Sequence, residues 1–225
     1  PETESQGEFW RSTIIDMGSR LRAARGIDKN ETLASVIVFE TLKERGHPDK
    51  PPATISDGWG GIRNAMIEVY GEIPKYAGRG RPPTRKLPQD GWKYLQMVKK
   101  RDKKGHLTGI ELRAIFGELE ELKNLLGIST AYVERTHLTM RHFSSRLVRK
   151  TVAFSKKVEM HQAAAIWDDL CYNLTHKHKS LRTEVFNNPN RRWLPRTPAM
   201  AAEITDHIWT VEEILYAIPN PNNTY

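Results

Sequence analysis

The order of periodicities between Phe9 and Tyr70 restricts the fold more than any other feature of this chain. FWRSTIID (Phe9–Asp16) reads as a strand, MGS as a tight turn, and RLRAARG (Arg20–Gly26) as the hairpin partner. IDKNETLASVIVFETLKERG then predicts a helix capped by Asp28 or Asn30 and ended at Gly46, supported by Leu33, Val36, Ile37, Phe39 and Leu42. HPDKPP is a loop, and ATISD (Ala53–Asp57) is a short strand that ends on an acid. GGIRNAMIEVYG follows as a second helix, with Ile62, Met66, Val69 and Tyr70 on one face. Strand, strand, helix, strand, helix is an α/β order. In a mixed sheet, the carboxyl end of a strand that follows a crossover helix faces a ligand crevice. Asp57 stands there.

Further on, RGRPPTRKLPQD is a Pro-rich basic connector, and KYLQMVKKRD with HLTGIELRAIFG reads as two strands turned at Lys103–Gly105. GELEELKNLLG is a short helix closed by Gly127. AYVERTHLTMRHFSSRLVRK and VEMHQAAAIWDDLCYNLTHKH predict two more helices, the second long and amphipathic. Asn187–Pro198 reads as a turn-rich loop, TPAMAAEITD as the start of another helix with Pro198 at its first position, and IPNPNNTY as a frayed tail. The expected division is a core over 1–157, with a basic insertion at about 79–116, and a helical extension over 158–225 packed on it.

Charge separates the function classes. The chain carries a net +8, and its cations are clustered. From Arg79 to Lys104, ten cations (among them Arg79, Arg81, Arg85, Lys86, Lys99 and Lys100) face only Asp90 and Asp102. From Glu134 to Lys157, seven cations, including Arg141, Arg146, Arg149 and Lys150, face Glu134 alone. Such clustering is the footprint of a phosphate-backbone binder. Cys171 is the only cysteine, which excludes an internal disulfide and a Cys-rich zinc module and points to a reducing, cytoplasmic setting. His176 and His178 lack partners at zinc-finger spacing. No apolar run approaches the roughly 20 residues of a membrane span. PETESQGEFW has neither the basic nor the apolar region of a signal peptide and no initiator Met, so the chain is expected to be a fragment of a longer product.

Cutting and joining a polyanion needs charge neutralised on a phosphate oxygen, which divalent cations held by carboxylates on rigid elements supply. A strand-end acid, Asp57, and a helix acid, Glu134, suit that task. Arg141 lies two turns after Glu134 on nearly the same helix face, with Leu138 and Leu147 expected to anchor the stripe to the core. No Walker lysine loop, Cys/His cluster or Gly-x-Ser-x-Gly elbow competes for the role.

TISDGW (Thr54–Trp59), YVERTHLTMRHFSSRLVRKTVAFSK (Tyr132–Lys156), HKSLR (His178–Arg182) and RWLPRTPAMAAEITDHIWTVEEIL (Arg192–Leu215) together resemble transposases of the insertion-sequence-one type. The resemblance implies a DDE enzyme with a ribonuclease H-like mixed sheet flanked by helices, using Mg²⁺ or Mn²⁺. It implies that Asp57 is the second catalytic acid and metal ligand and Glu134 the third, with Arg141 as the basic residue that follows the Glu. Double-stranded DNA, at element ends and target, is the implied partner, with a homo-oligomer assembled on it and no membrane. The family's first Asp lies on a first strand that this chain is expected to lack, upstream of Pro1. Asp16, placed at a hairpin turn, is the rival for that role. Trp59 and Trp92 are candidates to stack on unpaired bases. The alternative function is a truncated, inactive remnant that only binds DNA through its basic surface.

Overall fold

The computed structural model describes residues 8–76, 78, 80–127, 129–148, 151–186 and 192–217. They fall into two compact units, one built on Ala24–Arg135 together with Gly7–Ile14, the other on Thr136–Tyr225 together with Ile15–Ala23. The architecture is mixed α/β, with helices and three small sheets among the described residues.

β1 (Trp10–Ile15) pairs with β2 (Arg22–Asp28), both lying in the first unit except for Ile15, Arg22 and Ala23, and α1 (Glu31–Arg45) follows in that unit. The Asn30 side chain accepts hydrogen bonds from the N–H groups of Thr32 and Leu33, so of the two expected caps Asn30 makes the bond. The helix ends at Gly46, whose φ of 151° is open to glycine alone at little cost. Its buried face is Ala34, Ser35, Val36, Val38, Phe39 and Leu42, whereas Leu33 is half exposed. β2 comes so close to α1 that a Cβ on Gly26 would lie 1.8 Å from the Ala34 carbonyl oxygen.

β3 (Thr54–Asp57), β4 (Tyr94–Arg101) and β5 (Leu107–Phe116) form a three-stranded mixed sheet. β3 runs parallel to β4, with Asp57 opposite Met97, and β4 runs antiparallel to β5. Burial falls along β4, from Tyr94, Leu95, Gln96 and Met97 inside to Lys99, Lys100 and Arg101 outside. α2 (Gly61–Tyr70) packs on α1, and α3 (Leu119–Leu126) closes over the sheet through a cluster of Leu95, Leu122 and Leu126. Phe39, Tyr70, Trp92 and Phe116 form an edge-to-face relay, with centroids 6.5, 6.4 and 5.3 Å apart in turn. Trp92 is only 2 % exposed. It is a core residue, and the expectation that it stacks on bases is corrected: the indole is enclosed by its aromatic neighbours.

The second unit holds α5 (Val158–Leu174), the hairpin β6 (His178–Glu184) and β7 (Trp193–Arg196), α6 (Pro198–Ala201) and α7 (Val211–Ala217). The helix α4 (Ala131–Phe143) crosses the boundary and is followed by a 3-10 turn at Ser145–Leu147. The expected loop at Asn187–Pro198 is corrected at its end, where Trp193–Arg196 pairs with β6; residues 187–191 lie outside the described residues. Pro198 is the first residue of α6, and Thr197, fully buried, accepts from the Met200 N–H. That helix stops at Ala201, shorter than the sequence suggests. Within the expected tail, residues 218–225 lie outside the described residues.

The anchor of this unit is ionic. The Arg22 guanidinium, 1 % exposed, donates to Asp168 at 2.7 Å and to Asp169 at 3.2 Å, and lies 3.8 Å over the Tyr172 ring. Asn173 clamps the Arg22 backbone, accepting its N–H at 3.0 Å and donating to its carbonyl at 3.1 Å.

Candidate active site

Asp57 ends β3 because SDGWGG must leave the sheet and start a helix within four residues. Its Oδ1 accepts the Trp59 N–H at 3.1 Å, the side chain closing the turn it stands on. The Trp59 ring lies over Gly61, where a Cβ would meet it at 2.0 Å, so a glycine is needed at the first position of α2. Below the turn, the Tyr94 hydroxyl is 2.7 Å from Ser56 Oγ, and Gln96 Nε2 donates to Tyr94 at 2.9 Å and to the Trp59 carbonyl at 3.1 Å. This network fixes the backbone on both sides of Asp57. Asp57 itself is exposed.

Glu134 lies in the first turn of α4 and is exposed. Thr130 Oγ1 donates to its Oε1 at 3.2 Å, and the Lys99 ammonium contacts the same oxygen. Lys99 is two residues beyond Met97 on β4 and therefore on the same strand face. Asp57 is opposite Met97. β4 thus brings both acids to one end of the sheet, Asp57 by strand register and Glu134 through Lys99.

A further carboxylate belongs to this neighbourhood. Glu31, in the first turn of α1, has its carboxyl raised by burial and by the negative charge of Asp57. Burial, and less strongly Asp57, also raises the Tyr94 phenol against the opposing hydrogen bonds of Ser56 and Gln96. Glu31 escapes sequence reasoning because a first-turn Glu is ordinary for a helix. Asp16 serves its turn: its Oδ2 accepts from the Ser19 N–H at 2.7 Å and hydroxyl at 2.6 Å.

Among the described residues, no group of three or more His, Cys, Asp or Glu side chains stands where it could hold a metal ion. Exposed carboxylates are the right donors for a hard cation such as Mg²⁺, and Asp57 and Glu134 fit one in kind.

The predicted DNA-contacting cations differ in what they already do. Arg81, Arg85 and Arg141 are exposed. Lys86 is paired with Glu68 at 2.7 Å, Lys100 with Glu111 at 3.1 Å, and Arg146 donates to Ser155 at 2.7 Å. Arg113 and Lys100 both bond Glu111 and pull its carboxyl down to about 2. Arg79, Arg149 and Lys150 lie outside the described residues. On α4 the buried residues are Thr136 and Met140, and Leu138 is 55 % exposed, so the expected anchoring role of Leu138 is corrected. No helix among the described residues is long and apolar enough to cross a membrane.

Comparison with curated proteins and with solved structures gives no significant match. Residues 114–168 match the family model described as IS1 transposase. The matched stretch runs from the end of β5 through α3 and α4 into α5, and includes Glu134, Arg141 and Arg146. Over this segment, the lone acid and its basic sequel included, the chain is similar to the IS1 transposases.

Proposed function

We propose that this chain is the catalytic domain of a DDE-type DNA transposase with a ribonuclease H-like core, acting on the DNA of element ends and target. One observation carries the reading. Asp57 and Glu134, from elements far apart in sequence, come to the same end of the β3–β4 pair, and Glu134 lies in the stretch that matches the transposase family. Asp57 and Glu134 would hold Mg²⁺ or Mn²⁺, which when bound would supply charge neutralisation on the phosphate and polarisation of the attacking and leaving oxygens. The side chains around it do the rest. Gln96 and Tyr94 keep the Asp57 turn in place, Thr130 orients Glu134, and the exposed arginines Arg81, Arg85 and Arg141 take the phosphate backbone on a monomer or an oligomer assembled on DNA.

A second reading is favoured by the absence, among the described residues, of any group of three or more His, Cys, Asp or Glu side chains placed to hold a metal ion. On it the chain is a remnant that binds DNA and performs no chemistry. A nicking and strand-transfer assay with Mg²⁺ or Mn²⁺ separates the two. For the enzyme, Asp57→Asn and Glu134→Gln each reduce cleavage by at least about 100-fold while leaving duplex binding within a few-fold. Binding without any metal-dependent cleavage by the parent chain selects the remnant. Cleavage that survives both substitutions overturns the site.

A further inference from the structure

Lys177 to Arg196 holds six cations against Glu184 alone. Two of the six are committed to the fold, since Arg196 donates to the Met200 carbonyl at 2.6 Å and Arg192 pairs with Glu184 at 2.9 Å. The second pair also neutralises the one acid. Arg191 lies outside the described residues, and Lys177, Lys179 and Arg182 remain, all exposed.

Arg182 is presented in a particular way. Its guanidinium lies 4.2 Å over the Trp193 ring on the facing strand, and Arg192 stands 5.6 Å from the same ring. A guanidinium stacked on an indole loses little further freedom on binding and keeps its N–H edge for a bidentate acceptor. The hairpin that carries it is held at its base by His178, whose ring is 5.0 Å from that of buried Tyr172, and by the capped start of α6. A stacked fork and two ammonium groups, on a rigid edge stripped of free acid, suit an acceptor whose charges repeat at regular intervals.

We infer that the β6–β7 hairpin is a second DNA-contacting surface, in which Lys179 and Arg182 bind phosphates of duplex DNA and Trp193 pre-positions Arg182. The inference rests on the transposase reading for its choice of polyanion. It gives the HKSLR and RWLPR stretches a function that the active-site chemistry does not.

The test is the salt dependence of binding to a short labelled duplex, followed by fluorescence anisotropy. For the chain with Lys179→Gln and Arg182→Gln together, the slope of log K against log salt becomes shallower by about two, and affinity near 0.1 M salt falls about tenfold. Arg182→Lys keeps the charge but not the fork, and falls between. Circular dichroism of each variant matches the parent. An unchanged slope in the double variant, where Arg81→Gln with Arg85→Gln lowers it, overturns the hairpin surface and leaves the transposase reading standing. Displacement of the duplex by polyglutamate as readily as by unlabelled DNA overturns it in favour of an acidic protein partner. Failure of the transposase reading registers separately, as cleavage indifferent to Asp57 and Glu134.

Discussion

Arg22 shows how much one residue can hold. It takes two adjacent carboxylates, a tyrosine face and an asparagine amide, and buries all but 1 % of its side chain. Removing one partner of a buried ion pair leaves the others desolvated without compensation, which costs about 3–5 kcal/mol. Arg22→Ala is therefore expected to lower the unfolding free energy by that amount, read as a fall in the urea midpoint. Arg22→Met with Asp168→Asn and Asp169→Asn recovers part of it, because no lone charge is left inside. The Asp57–Glu31 neighbourhood makes a second residue-scale prediction. Charge on Asp57 helps to hold the Glu31 carboxyl high, so Asp57→Asn shifts the Glu31 titration downward in a carbon-detected NMR experiment. Burial, the larger cause, keeps it above the ordinary glutamate value. The sign for stability follows. A carboxyl raised in the folded state costs nothing below its unfolded pKa, and disfavours the fold once pH exceeds the folded value. Asp57→Asn reduces that penalty only at the higher pH. An Asp57→Asn chain in which Glu31 titrates as before would show that the two carboxylates are not neighbours.

At the scale of elements, the contact of β2 with α1 is the least forgiving. Gly26 faces the Ala34 carbonyl, which is helix backbone and cannot rotate away. Gly26→Ala must separate the strand from the helix, at a cost of about 2–3 kcal/mol or more, read as a fall in the denaturant midpoint with an unchanged slope. Elements with local signals were legible in the sequence. The Asn30 cap, the Gly46 stop, the Lys103–Gly105 turn and the Gly127 stop each act within a few residues of themselves. β6 and β7 were not. HKSLRTE buries residues in the pattern of every third rather than every second position, and its pairing with WLPR is irregular between His178 and Thr183. Neither strand shows alternation, and Pro195 argues against one of them. Their pairing is decided by tertiary structure alone. The same holds for α4, whose exposed Leu138 and buried Thr136 invert what hydrophobicity predicts.

For the whole molecule, chemistry was more legible than geometry. Acids at a strand end and on a basic helix could be singled out by type, because few residue types serve phosphoryl chemistry on DNA. The contact of Lys99 with Glu134, the influence of Asp57 on Glu31 and the burial of Trp92 arise only when distant segments converge. Charge tells a similar story. The +8 is readable as a total and as clusters, yet its members divide into those that brace the fold, such as Lys86, Lys100, Arg192 and Arg196, and those left exposed to meet a partner. Salt dependence of binding reports only the second group.

The gradient along β4 has a consequence for how such a chain can change over generations. Its inner half is tied to Leu122 and Leu126, so nearly every substitution there is felt by the core. Beyond Lys99, which contacts Glu134, its outer half rests on the strand ladder and on Glu111 clasped by Lys100 and Arg113, and is exposed. Drift is cheap at that end of the hairpin. A descendant could alter which sequence or shape of polyanion it prefers there, while the framework that supports Asp57 is inherited untouched.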